Sequence, residues 1–360
     1  MSGKIVKVGT AVPDYSAHQN DILNFMGRAY NNDQDFRKLK VLSHQSGIER
    51  RYSVIPDFGM KQDYTFFKPQ QTQPDVQERM RIFKANALNL SLSSIQSALD
   101  TSNVTISEIT HLITVTCTGL HAPGLGNEIV HQLKMKDDLF QTSVNFLGCN
   151  AAFHALKIAD LIARDNENAK ILVTTVELCT LHFQPKNNTD NLLSNTIFGD
   201  GAATALITSG NDPTPGIKIN GFYSLLLKKG YDYMGWNVLP QSFEMVLNAQ
   251  LPRLIGSEIE TLMNRTMAYF NIELDDITRW AVHPGGKKIL EEVKKHVRIP
   301  DEKIAQSYEV LKDYGNMSSS TILYVLNKIM ELPSRKKSRI MAIGFGPGLS
   351  IDTAMLTYVE

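Results

Sequence analysis

The sequence predicts an α/β protein made of two similar halves, residues 1–208 and 209–360, and three observations predict it. Short β-branched apolar runs alternate with stretches of helical period along the 360 residues. No low-complexity tract and no long Pro- or Ser-rich linker separates the halves, so they are expected to pack tightly together. The third observation is a repeated spacing. Cys149, at the start of a helical stretch, lies as far beyond the strand candidate ending at Thr116 as Asn316 lies beyond His283, which ends another. Such an echo suits an ancient duplication in which each half offers a strand end and a helix start to one site.

In chain order, strands are expected at 5–8, 111–116, 171–175, 202–207, 279–282, 340–343 and 350–357, each a short apolar run rich in Val, Ile and Thr or ending in a turn. Helices are expected at 78–99 and 151–164, the second apolar almost all round and therefore buried. Further helices are expected near 253–270, 286–296 and 318–330.

Bulk properties narrow the function classes without naming a chemistry. Apolar residues make up 42% and charged residues 21%, ordinary for a globular protein. Lys plus Arg and Asp plus Glu number 37 each, so no global field draws in nucleic acid or an anionic membrane. No run approaches the roughly 18–20 apolar residues of a spanning helix, and no membrane insertion is expected. The opening MSGKIVKVGTAVPDY lacks a signal-peptide core, and three cysteines make a poor disulfide framework. A reducing cytoplasm is the expected compartment.

Three residues stand out chemically. Cys149 follows a glycine turn in NFLGCNAAFHALKIAD and opens a helix, where unpaired backbone N–H groups and the dipole favour thiolate over thiol. The plain alternative is a small buried apolar side chain, the usual state of a cysteine. Of the other two cysteines, Cys179 reads as packing and Cys117, at a strand end, as lining for a site. His283 sits where a buried strand gives way to Pro-Gly-Gly, and Asn316 sits in DYGNMSSSTIL before a capped helix. Each alone is an ordinary turn residue. Together they can form a nucleophile, an imidazolium that lowers its pKa, and two donors for an enolate oxygen.

At this point the motifs resemble a known family. GTAVP at Gly9–Pro13, IFGDGAA at Ile197–Ala203, HPGG at His283–Gly286, YGNMSS at Tyr314–Ser319 and GFGPGLSID at Gly344–Asp352 are similar, as an ordered set, to type III polyketide synthases of the chalcone synthase-like group. The resemblance covers essentially the whole chain. It implies a thiolase fold of two βαβαβ-type halves in a five-layered αβαβα core, and a homodimer. It implies that Cys149 carries an acyl starter delivered as acyl-CoA, that malonyl-CoA extends it by decarboxylative condensation beside His283 and Asn316, and that the product cyclises to a pyrone or a resorcinol- or phloroglucinol-type ring. Coenzyme A thioesters would be substrates, with no permanently bound cofactor and no metal. Phe198 and Phe243 fall on gatekeeper phenylalanines. Cys117, Ser194, Ser318, Phe345 and Pro347 would line the pocket, and Arg37, Lys38 and Gly286 would contact coenzyme A. Pro123 would be a cis-proline, with Ala122 reaching the neighbouring subunit's pocket.

Two departures matter. Small residues soon after the family's cysteine are replaced here by Asn150-Ala151-Ala152-Phe153, which changes the wall of the acyl pocket. Val41 and Gln45 stand where cations for the CoA phosphates are expected. Three other readings remain open from sequence: a single-round ketoacyl synthase, a silent thiolase-fold partner subunit, and a papain-like protease. The last shares the Cys, His, Asn order but is opposed by the mid-chain cysteine and the α/β pattern.

Overall fold

A computed structural model describes residues 2–69, 71–100, 102–333 and 338–360. Its strands are β1 Gly3–Ala11, β2 Tyr15–His18, β3 Arg50–Ser53, β4 His111–Thr116, β5 Phe140–Asn145, β6 Lys170–Leu178, β7 Asp200–Ser209, β8 Gly216–Leu226, β9 Met234–Val238, β10 Phe243–Leu247, β11 Arg279–Val282, β12 Arg339–Gly346 and β13 Ser350–Val359. The helices are α1 Gln19–Tyr30, α2 Asp33–Gln45, α3 Val76–Leu99, α4 Leu125–Gln132, α5 Ala151–Asp165, α6 Thr189–Ile197, α7 Leu251–Phe270, α8 Lys287–Val297, α9 Asp301–Tyr314 and α10 Thr321–Glu331. Every strand and helix expected from sequence is present. The expected α3 start moves two residues earlier, because Asp75 and Glu78 form a reciprocal capping box.

Nine strands join in the order β11-β12-β13-β8-β1-β7-β6-β4-β5. The order repeats about the β1–β8 junction, where Lys4 and Ile5 face Lys218 and Ile217. On one side β4 and β6 run parallel, and β6–β7 and β7–β1 antiparallel. On the other, β11 and β12 run parallel, and β12–β13 and β13–β8 antiparallel. Only β5, an edge strand beside β4, has no counterpart among the described residues. The echo in the sequence therefore has a topological basis: β4 and β11 hold the same place in each half.

Strand alternation builds the layers. In β6, Ile171 and Val173 face one hydrophobic core while Leu172 and Val176 face another. In β12, Ile340 and Ala342 face that same first core while Met341, Ile343 and Phe345 face a third. The shared core also takes the buried faces of α5 and α10, so these two helices lie between the half-sheets. Helices α1, α3 and α4 cover one outside and α7 and α8 the other. Helix, sheet, helix, sheet, helix: this is the five-layered core expected of the fold. Along α5 the buried positions are mostly alanine, which lets two sheets approach a single helix layer closely.

One polar cluster pins the start of α5 to the other half. Asn150 Nδ2 donates to Asp352 Oδ2 at 2.5 Å and to Ser350 Oγ at 2.9 Å. Lys157 and Ser224 bond to Asp352 Oδ1, and His154 Nε2 lies 3.4 Å from Oδ2. Asn150, His154 and Lys157 are spaced i, i+4, i+7, one stripe on the helix. Burial opposes the charge on Asp352, but the hydrogen bonds from His154, Lys157 and Ser224 outweigh it and hold the carboxyl well below the usual range. Asp352→Ala should therefore destabilise the fold by about 3 kcal/mol in urea unfolding at pH 7, because it leaves Lys157 and Asn150 without their buried partner. A carboxylate with a depressed folded pKa stabilises above its unfolded pKa and loses that contribution as pH falls further. The difference between wild type and variant should hold above about pH 4 and shrink in more acidic buffer.

Candidate active site

The nucleophile candidate is held by a turn that only glycine fits. Gly148 has φ +77°, and a Cβ on it would come within 2.4 Å of Pro347 Cδ. The bare backbone lets the GFGPG loop close against the turn Gly148–Asn150, which leads directly into α5. Cys149 is buried there, and its sulfur is within hydrogen-bonding reach of the Ser318 and Asn316 side chains. Burial pushes the thiol up to about 12, against the pull of those two groups.

The other half supplies the remaining groups at matching strand and helix ends. His283 follows β11, and its backbone N–H donates to Ile343 O at 2.8 Å. Its ring is buried, and neither Nδ1 nor Nε2 has a hydrogen-bond partner. Burial pushes this imidazole down to about 3. Desolvation thus opposes the cationic His283 read from sequence and favours a neutral imidazole and a thiol in the free site. Asn316 is fixed before α10: its Oδ1 accepts from Ser318 N at 2.8 Å, and its Nδ2 donates to Gly285 O at 3.3 Å and faces Cys149. Backbone bonds from Asn316 N to Ile197 O and from Gly199 N to Asn316 O tie this residue to both neighbours of Phe198.

Cys149 opens onto a cavity of about 50 Å³. Cys117, Ser194, Phe198, Phe243, Ser318 and Pro347, all expected to line a pocket, line it. Phe345 is not among the residues that line it; its place in β12 turns it to the outer core with Met341 and Ile343. Cys179, read from sequence as packing, also lines the cavity, since a short helical turn after β6 carries it inward. Phe243 is 2% exposed and stacks on His182 with centroids 4.4 Å apart, so it is a fixed wall.

Sequence reasoning missed Glu177, His182 and Trp236. Glu177 is fully buried and accepts from Cys117 N at 3.0 Å and Thr118 Oγ1 at 2.9 Å, and from Ser319 Oγ. Cys117 Sγ lies 3.3 Å from Glu177 Oε1 and 3.2 Å from Ser318 Oγ, so this network adjoins the nucleophile. Burial pushes the Glu177 carboxyl up, and the hydrogen bonds pull it back. A lone acid inside the apolar run ILVTTVEL was the available signal, because buried carboxylates are rare without partners.

A second cavity of about 200 Å³ is bounded by Thr196, Ile197, Gly285 and Gly286. Of the residues expected to contact coenzyme A, Gly286 lines this cavity and Arg37 and Lys38 do not. Both are exposed one turn or more before the α2 residues that reach this cavity, Leu42, Gln45 and Ser46, and Lys38 pairs with Asp35 at 3.4 Å. The cations that do line it are Lys287 and Lys288, in the first turn of α8. The Ala122–Pro123 bond is cis and both residues are exposed. Among the described residues no group of three or more His, Cys, Asp or Glu side chains could hold a metal ion, and no helix is long and apolar enough to cross a membrane.

Comparison with known proteins agrees over the full chain. The family "Chalcone and stilbene synthases, N-terminal domain" matches residues 2–213, and the C-terminal domain of the same family matches residues 229–360. The 3,5-dihydroxyphenylacetyl-CoA synthase of Amycolatopsis balhimycina is 25% identical over 354 residues, covering 98% of this chain and 92% of that protein. The alpha-pyrone synthesis polyketide synthase-like Pks18 of Mycobacterium tuberculosis is 27% identical over 359 residues, covering 98% and 90%. In fold, the C-terminal type III polyketide synthase domain of Steely1 from Dictyostelium superposes with a TM-score of 0.92 at 24% identity, covering 100% of both chains. With both halves of the family matched and the thiolase-type layers in place, the chain belongs to the chalcone and stilbene synthase family, the type III polyketide synthases, which are acyl-CoA-condensing transferases.

Proposed function

We propose that the enzyme loads an acyl group from acyl-CoA onto Cys149, extends it with malonyl-CoA over more than one round, and releases a cyclised product. What supports this reading is a buried Cys149 thiol next to Asn316, whose Nδ2 donates to Gly285 O, with the buried His283 ring, its nitrogens unpartnered, beside Gly285. Neutral His283 takes the Cys149 proton as the sulfur attacks the starter thioester, and the coenzyme A thiolate leaves. Malonyl-CoA then loses CO2. The electron pair left on its α-carbon is stabilised as an enolate whose oxygen accepts from a His283 ring N–H and Asn316 Nδ2. That carbon bonds to the Cys149-bound carbonyl, the carbon–sulfur bond breaks, and Cys149 thiolate is regenerated. No side chain has to abstract a carbon-bound proton, because decarboxylation supplies the carbanion.

Phe198 lines the cavity at Cys149 while its neighbour Ile197 lines the outer one, which suits a gate between thioester entry and condensation. Coenzyme A is assigned to the outer one, its phosphates facing Lys287 and Lys288 at the α8 N-terminus. The same reading takes the chain as two halves, 1–208 and 209–360, working as a cytoplasmic homodimer through the face that carries Ala122 and Pro123, with coenzyme A thioesters as substrates and no resident cofactor.

Three outcomes test it. Incubation with malonyl-CoA and a panel of acyl-CoA starters should give polyketide pyrones or ring products by mass spectrometry, and Cys149→Ala should give none. A single β-keto product would instead indicate one-round ketoacyl synthesis. Asn316→Ala should lower kcat by about 10²–10³-fold through loss of one enolate donor. Because burial holds the free thiol protonated, its alkylation by iodoacetamide should still be rising between pH 7 and 9. A profile already flat from about pH 6 would show a preformed thiolate and contradict the neutral resting pair.

A further inference from the structure

We infer that the cavity at Cys149 takes a short acyl starter, of about two to four carbons, and holds the growing chain no further than the diketide, with Trp236 and the His182–Phe243 stack setting the limit. This rests on the condensing role proposed above and names its substrate class.

Volume is the first ground. About 50 Å³ is open beside Cys149. The two neighbouring cavities offer about 200 Å³ and about 450 Å³, so the space beside Cys149 is the tightest of the three. With the thioester carbonyl at His283 and Asn316, an acetyl group places only its methyl in this space. An acetoacetyl group places about four non-hydrogen atoms there and fills it. A triketide tail would add about three more and does not fit. The triketide is therefore made on coenzyme A from the diketidyl enzyme and not reloaded. Its enol oxygen attacks its own thioester carbonyl, a carbon–oxygen bond forms, the carbon–sulfur bond breaks, and coenzyme A thiol leaves with the enol proton, giving a pyrone.

The walls are fixed, which is the second ground. Trp236 Nε1 donates to Cys117 O at 2.6 Å. His182 Nε2 donates to Thr118 O at 2.8 Å, while its Nδ1 accepts from Phe243 N at 3.1 Å. Both partners are backbone groups with a single sense, so they select one neutral tautomer and lock the ring. Phe243 then lies flat on that ring, with Trp236 edge-on to it at 5.4 Å. The β9–β10 hairpin is thus tied to the Cys117–Thr118 loop across the cavity.

The deep end is closed as well. A larger cavity of about 450 Å³ lies behind Arg51, Phe58 and Thr180, which line both spaces. Arg51 donates to Gln19 Oε1, Asn195 O and Phe198 O. Thr180 is bonded to Asp200 and Ser53, and Phe58 packs edge-on to Phe25 at 4.9 Å. A long acyl chain would have to break this partition to reach the outer space.

Competition among acetyl-, butyryl-, octanoyl- and palmitoyl-CoA, with malonyl-CoA as extender and products read by mass spectrometry, tests the inference. Wild type should extend acetyl mainly to triketides, extend butyryl mainly once because its diketide would place about six non-hydrogen atoms in the space that acetoacetyl fills, and use octanoyl roughly tenfold or more less well. Trp236→Ala should raise the octanoyl share. Met245→Ala, which removes another lining side chain without breaking a described side-chain hydrogen bond, covers the case in which the tryptophan variant fails to fold. Wild-type use of octanoyl- or palmitoyl-CoA equal to acetyl-CoA, or tetraketides as the main acetyl-primed product, would overturn the inference. So would an unchanged starter profile in the folded variants. No product with any starter would instead overturn the condensing role on which it rests.

Discussion

The structure depends on how the first turn of α5 is seated. That turn carries Cys149, and it is squeezed between halves that each contribute one side of the site. Gly148 admits Pro347, and Asn150 reaches across to Asp352 and Ser350 on β13. If either contact were lost, the nucleophile would no longer be fixed relative to His283 and Asn316, which follow β11 and precede α10 in the opposite half. Asn150 also opens the run Asn150-Ala151-Ala152-Phe153, where the sequence departs from the small residues found soon after the family's cysteine. Here the added amide is accommodated because Gly346 leaves room: a Cβ there would lie 1.8 Å from Asn150 Oδ1.

Desolvation is the price of that seating. Cys149 and His283 are both almost fully buried, and burial alone favours their uncharged forms. Hydrogen bonds from Asn316 and Ser318 pull the thiol the other way, and a thioester carbonyl would give His283 the partner its ring lacks in the free site. Charge then develops mainly when substrate is present. Interactions gained only at that stage accelerate the chemical step more than those already made in the resting enzyme. Glu177 acts against thiolate formation if ionised, and its burial among donors from Cys117, Thr118 and Ser319 keeps that carboxyl part of a local network.

Much of this was legible in the sequence, for identifiable reasons. The seven expected strands are buried on both faces and read as continuous apolar runs, and α3, α5, α7, α8 and α10 have clear periods. What was missed lies at edges and in turns. β5, FQTSVN, is mostly exposed and polar on one side, so its pattern is weak. The β9–β10 hairpin interleaves Trp236 and Phe243 with polar residues and announces no core, yet it walls the cavity. Phe345 packs in the outer core, a direction that alternation along β12 gives and motif membership does not. Lys287 and Lys288 line the outer cavity and Arg37 and Lys38 do not, which sequence cannot tell because charge on a helix gives no distance to a cavity. Cys149, His283 and Asn316 were found because glycine turns and strand ends mark where an α/β sheet exposes its chemistry.

The most direct test is where acyl groups become attached. The protein should be incubated with acetyl-CoA, quenched in acid, and examined by intact mass and peptide mapping. One acetyl group per chain on the Cys149 peptide, absent from Cys149→Ala and slowed in His283→Ala, is the predicted result. Acetyl on Cys117 or Cys179 in the native enzyme, or loading that survives Cys149→Ala, would contradict the assignment of the nucleophile and the chemistry built on it.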